Sequence, residues 1–125
     1  MMKFHFGCVF YYVSDLGRAI SFYSDVLGFR LTSRDIVVRF DVDGVLFELV
    51  PSRDKKDLGS GGNARLCLKV DNITQAVEYL NKKRTRVSEI QEVENGKLAS
   101  VEDRDGNEIC LWQYDLFNVN NPRIL

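Results

Sequence analysis

The sequence predicts an α+β fold made of two tandem βαβββ modules. Three observations lead there. The chain runs twice through one order of strand-like and helix-like patterns, the two passes keep register, and a polar glycine-rich stretch separates them. Adding 57 to a residue number carries Leu16 onto Ile73, Ala19 onto Ala76, Ile20 onto Val77 and Tyr23 onto Leu80. Adding 62 carries Gly44 onto Gly106, Phe47 onto Ile109 and Leu49 onto Leu111.

The first module covers about residues 4–51. It opens with FGCVFYYV, whose aromatic and β-branched residues read as a strand. Asp15 is a good N-cap for the helix that follows, in which Leu16, Ala19, Ile20, Tyr23, Val26 and Leu27 recur at helical spacing. Gly28 supplies its stop. A strand near Phe29 to Ser33 leads into a hairpin of IVVRFDV and VLFELV, folded about Asp43-Gly44.

A linker, SRDKKDLGSGGN (52–63), precedes the second module at about residues 64–114. Ala64 to Val70 alternates as a strand, and Asn72 caps a helix carrying Ile73, Ala76, Val77 and Leu80. Lys82, Lys83 and Arg84 suit the negative end of that helix. Strands near Thr85 to Glu94 and Lys97 to Glu102 flank a turn expected at Asn95-Gly96. Asp105-Gly106 then turns the chain into the last strand, Glu108 to Tyr114. The tail, 115–125, carries Leu116, Phe117, Ile124 and Leu125 and is expected to cover a sheet edge or a partner subunit.

Bulk properties narrow the function classes. A chain of 125 residues buries a real core and makes one domain. Its 45% apolar and 28% charged residues are those of a globular protein. A net charge of −1 argues against nucleic-acid binding, and Arg53 to Lys56 is interrupted by Asp54 and followed by Asp57, as in a solvated loop. The apolar stretch at the N-terminus is too short for a membrane span and lacks a signal-peptide cleavage site, so a cytoplasmic location is expected. Cys8, Cys67 and Cys110 are odd in number and widely spaced, which points to buried free thiols and not to a disulfide framework.

Two stretches carry a family resemblance. VSDLGRAISFYSDVLGFRL resembles the opening helix of the glyoxalase / bleomycin-resistance / extradiol-dioxygenase superfamily, the vicinal oxygen chelate fold. EDRDGNEICLW resembles its closing turn and strand. The resemblance implies curved sheets around a cavity, paired within one chain or across a dimer. It also implies metal ligands at four strand positions, which in this sequence hold Cys8, Glu48, Arg65 and Cys110. Only Glu48 has the expected chemistry. Arg65 is a permanent cation and cannot coordinate, and His5, three residues from Cys8, is expected at an N-terminal edge.

Strand alternation assigns the two faces of each strand. Val38, Phe40, Val42, Val45, Phe47 and Leu49 form an apolar face for the helix, and Arg39 falls across from Glu48 on the other. The inner face expected of the first strand carries Phe6, Cys8, Phe10 and Tyr12. In the second module it carries Arg65, Cys67, Lys69, Cys110, Trp112 and Tyr114. Aromatic walls with a few polar points suit a small-molecule pocket, and the surplus of Arg39, Arg65 and Lys69 over Glu48 suits an anionic ligand. Two readings of Arg39, Glu48 and Arg65 stand side by side, a structural ion-pair network and a binding set. Phe10 and Trp112 are similarly open between sheet packing and ligand contact.

The function expected is a metal-independent, cofactor-free protein that binds or sequesters a small anionic, aromatic or amphipathic molecule as a homodimer. The alternative is a lyase, isomerase or dioxygenase using Glu48 as general base, with or without a divalent metal. A third is a partner module whose cavity is filled by its own side chains.

Overall fold

The computed structural model describes residues 2–59 and 65–115. Contacts divide the chain into two compact units, Met1–Gly59 and Ser60–Leu125. The fold is α+β, with one mixed sheet in each unit.

The first unit holds β1 (Val9–Val13), a helix α1 (Leu16–Ile20) and strands β2 (Arg30–Arg34), β3 (Val38–Val42) and β4 (Val45–Pro51). The sheet order is β1-β4-β3-β2, with β1 and β4 parallel and the rest antiparallel. Asp15 caps α1 as expected, its carboxylate accepting from the Arg18 N–H at 3.1 Å. Beyond Ile20 the helix widens into a π-helical stretch, Ser21–Val26, in which the Leu27 N–H donates to the Phe22 carbonyl. That widening buries Phe22 beside Tyr23, a neighbour that regular 3.6-residue spacing leaves out. Gly28 closes the helix at φ 76°, a conformation costly for a residue with Cβ.

The core of this unit is aromatic. Tyr23 is fully buried, and its ring lies 5.0 Å from Phe47, 5.7 Å from Phe29 and 6.3 Å from Phe40. Each buried side chain of this size contributes about 1.5–3 kcal/mol. Val38, Phe40, Phe47 and Leu49 occupy the helix face as expected, whereas Val42 and Val45 emerge at the hairpin tip. Asp43 and Gly44 form that tip with φ 52° and 84°, the two left-handed residues of a tight hairpin turn.

The second unit repeats the plan with β5 (Leu66–Lys69), α2 (Ile73–Lys82), β6 (Arg86–Val87), β7 (Gln91–Val93), β8 (Gly96–Glu102) and β9 (Glu108–Tyr114). Its order is β5-β9-β8-β6, with β7 also on β8 and β5 parallel to β9. Asn72 caps α2 through the Gln75 N–H at 3.0 Å, the position 57 residues after the Asp15–Arg18 contact. The Gln113 side chain accepts from the Ile73 N–H at 2.7 Å and ties the helix start to β9. Ile73, Leu80, Ala99, Val101, Ile109 and Leu111 form the core.

Four expectations change. β1 begins at Val9, so His5, Phe6 and Cys8 precede the strand, the first two exposed, and alternation assigns none of them a face. The strand expected over Thr85 to Glu94 is two short pieces, because Ser88 leaves the ladder to bond Ser100 twice, through backbone and hydroxyl. The hairpin turn centres on Glu94 and Asn95, while Gly96 opens β8. Finally, Asp105-Gly106 sits in a five-residue loop between the paired Glu102 and Glu108. Buried Asp103 organises that loop, accepting from the N–H groups of Asp105 and Asn107 and from the Asn107 amide. Among its described residues the linker contributes one turn, Lys55–Asp57, capped by Asp54. Residues 60–64 and the tail from 116 lie outside the described residues.

Candidate functional site

The first unit presents its open sheet face on the side away from α1. The two-residue turn sets Arg39 directly opposite Glu48, and the parallel β1–β4 pair sets Phe10 beside Glu48. The carboxylate of Glu48 is engaged at both oxygens. Arg39 Nε–H donates to Oε2 at 2.8 Å, and the Cys8 thiol donates to Oε1 at 3.1 Å. The expected Arg39–Glu48 pair is therefore present, and Cys8 joins it. The hydrogen bond to Glu48 raises the Cys8 thiol above its ordinary value, burial and the Glu48 charge add to this, and Arg39 opposes it.

Aromatic surface flanks this polar chain. Phe10 and Tyr12 meet edge to face at 5.3 Å, and Phe10 is 46% exposed. Leu46 and half-buried Val50 continue the apolar border on β4. At the far side Asp41 holds the face together, accepting from the Arg30 guanidinium and, at 2.7 Å, from the Gly44 N–H. Those two bonds, Arg30 first, hold the Asp41 carboxyl below its usual range.

The second unit places Arg65, Cys67, Lys69, Cys110 and Trp112 on one face, as alternation requires. Arg65 Nε lies 3.4 Å from Glu108, the residue across from it on β9. The expected network is thus divided: Arg39 pairs with Glu48 and Arg65 with Glu108. Of the three cations read as a surplus, two are neutralised within their own sheets, which leaves Lys69 beside Trp112 as the cation of this face without a carboxylate partner among the described residues. Trp112 packs edge to face on Tyr114 at 5.5 Å and covers Gly96, where a Cβ would stand 2.9 Å from the indole ring. Sheet packing is part of its role.

The thiols differ from expectation. Cys67 is exposed, and Cys8 and Cys110 are half-buried, so none is a core filler. Cys67 and Cys110 stand on the open face of the second sheet, and Cys8 lies just before β1 with its thiol on Glu48, so all three are outside the aromatic and aliphatic cores. Cys67 and Cys110 are register partners on β5 and β9. Partial burial first, and the neighbouring Cys110 thiol after it, push the Cys67 thiol up to about 11. Sequence reasoning missed this pairing. The signal was available in the repeat: Phe10 plus 57 is Cys67, Glu48 plus 62 is Cys110, and Phe10 lies beside Glu48.

The four positions that the resemblance assigns to metal do not fit one. In the first unit the Cys8 thiol keeps its proton on Glu48, and Glu48 is paired with a guanidinium. In the second, Arg65 offers no lone pair. Among the described residues no group of three or more His, Cys, Asp or Glu side chains is gathered to hold a metal ion. Nor, among them, is any helix long and apolar enough to cross a membrane.

Comparison with solved structures returns this architecture. TnmS3, an antibiotic binding protein from Streptomyces sp. CB03234, superposes with a TM-score of 0.71 at 24% identity over 92% of this chain and 99% of that one. The fosfomycin resistance protein FosX from Mesorhizobium loti gives 0.73 at 16% identity, covering 92% and 96%. Lactoylglutathione lyase from Agrobacterium tumefaciens gives 0.72 at 17% identity, covering 87% and 92%. At these identities the likeness shows a shared fold. The search of curated proteins found no match. The model of one family matches residues 5–111, a span that takes in α1, the first sheet, the Asp103–Asn107 loop and the second sheet as far as Leu111 in β9. On that match, the chain belongs to the glyoxalase/bleomycin resistance protein/dioxygenase superfamily.

Proposed function

We propose that this protein binds a small aromatic or amphipathic molecule without a metal, as a homodimer in the cytoplasm. The observation that carries the reading is the state of Glu48. It is the one carboxylate at the superfamily's ligand positions, and both of its oxygens are already bonded, to Cys8 and Arg39. What surrounds it is a surface for contact: Phe10, Tyr12, Leu46 and Val50 around one oriented polar chain. That mixture of apolar area and few fixed polar groups is what small-molecule sites use. The antibiotic binding protein TnmS3 supports the reading, since it puts the same fold to work as a binder.

With Arg39 and Arg65 neutralised in place, the protein recognises its ligand chiefly by shape and aromatic contact. The test is a screen of aromatic and amphipathic compounds against protein purified without added metal. Binding is followed by isothermal titration calorimetry and metal content by elemental analysis. Saturable binding that weakens in Phe10→Ala supports the proposal. Stoichiometric, tightly bound metal that is lost in Glu48→Gln overturns it.

A further inference from the structure

We propose that Cys67 and Cys110 close a reversible disulfide across β5 and β9, making the open face of the second unit a site of oxidation by low-molecular-weight disulfides. The geometry provides the pair. The two residues are register partners in a parallel ladder, so their side chains leave the sheet on the same side. Neighbouring strands lie about 4.8 Å apart, which is inside the range of about 4.4–6.8 Å that disulfide Cα atoms span.

Access is provided as well. Cys67 is exposed and Cys110 half-buried, so a small oxidant reaches the pair without unfolding. The chemistry balances as two exchanges. One thiol, losing its proton, attacks the external disulfide RSSR, forms a mixed disulfide and releases RS⁻. The neighbouring thiol, losing its proton in turn, attacks the protein sulfur of that mixed disulfide. The Cys67–Cys110 bond forms and the second RS⁻ leaves. Both protons end on the released thiols, giving two RSH for one bridge. The external disulfide is reduced and the cysteine pair oxidised.

The bridge is a labile one. Side chains of register partners leave neighbouring strands about 4.8 Å apart, while the Cβ atoms of a disulfide prefer about 3.8 Å. Closure draws β5 toward β9 and strains the bond, and strained, accessible disulfides are the easily reduced kind. The device belongs to one unit, because the equivalent register pair in the first is Phe10 and Glu48. Cys8 is outside it, on the first unit and bonded to Glu48. The inference does not depend on ligand binding.

The experiment treats the purified full chain with oxidised glutathione. Remaining thiols are then alkylated under denaturing conditions and the protein is read by intact mass and peptide mapping. The expected result is loss of two of the three thiols, no retained glutathione, and a linked peptide pair containing Cys67 and Cys110. Dithiothreitol restores all three. Cys67→Ser and Cys110→Ser each hold a single glutathione adduct instead, and Cys8→Ser behaves as the parent does. The wild-type peptide map decides the matter even where a variant folds poorly. Stable glutathione adducts on the parent protein, three thiols left unreacted, or a bridge between two molecules overturns the proposal.

Discussion

The residue that most defines the first unit is Glu48, and its partners set the behaviour of Cys8. A thiol that donates to a carboxylate loses that bond on ionising and gains a repulsion, so its pKa rises. Arg39, on the other carboxylate oxygen, pulls the opposite way. Glu48→Gln removes the charge, lowers the Cys8 pKa and speeds its alkylation by iodoacetamide near pH 8. Each unit removed raises the thiolate fraction about tenfold at a pH below the pKa. Arg39→Ala slows the same reaction. Peptide-resolved alkylation rates check both directions, and equal rates in parent and Glu48→Gln would show that the Cys8–Glu48 bond does not form in solution. The Arg39–Glu48 contact was legible because a two-residue turn fixes which positions face each other. The Arg65–Glu108 contact was not, since it depends on how β5 and β9 align, two strands with α2 and three further strands between them in sequence.

At the scale of elements, turns and close approaches decide what the hydrophobic pattern leaves open. Asp43-Gly44 was read correctly because a two-residue hairpin has few solutions. At Asn95-Gly96 the same kind of signal misled by one residue. Gly96 is glycine for another reason: a Cβ there would stand 2.2 Å from the Gln113 carbonyl oxygen. Gly96→Ala forces β8 away from β9 and costs about 1–3 kcal/mol, read as a lower midpoint in urea unfolding with an unchanged slope. An unchanged midpoint would mean the two strands yield freely there. The Asp103–Asn107 loop makes a second case. Asp103→Ala removes three hydrogen bonds that hold the loop, a loss of about 1–3 kcal/mol read as a lower urea midpoint, and an unchanged midpoint would show that the loop does not need them. Asp41 gives the first hairpin a pH dependence. Its carboxyl is depressed by Arg30 and the Gly44 N–H, so the native state binds its proton less readily than the unfolded chain. The contribution is fully present above the ordinary value of 3.8 and is lost as pH falls from there through the lower native value. Thermal melts of the parent and Asp41→Asn therefore differ near neutrality and converge in acid. A gap that persists at the lowest pH would assign the effect to something other than the charge.

Across the whole molecule, the repeat preserves architecture while the chemistry of its positions has diverged. The offsets of 57 and 62 keep caps, cores and strand order in step, which is why hydrophobic pattern alone reached the fold. No such constraint acts on the open faces. There the first unit has Cys8, Phe10 and Glu48, and the second has Arg65, Cys67 and Cys110 at the matching places. Packing tolerates these exchanges, because open-face side chains do not have to fit a core; metal chemistry does not. A metal bound only by the native state stabilises it by mass action, by about 2.7 kcal/mol at a hundred times its Kd. The expectation for this chain is no such gain. Its unfolding temperature, measured after dialysis against a chelator, stays unchanged when manganese, nickel or zinc is added, and Glu48→Gln responds as the parent does. The control that separates causes is Cys67→Ser, since two adjacent thiols can hold a thiophilic ion by themselves. A rise that survives Cys67→Ser but vanishes in Glu48→Gln would place a metal at Glu48 and return the protein to the metal-dependent chemistry of its superfamily. A rise lost only in Cys67→Ser would trace to the thiol pair and leave Glu48 to its role in holding Arg39 and Cys8.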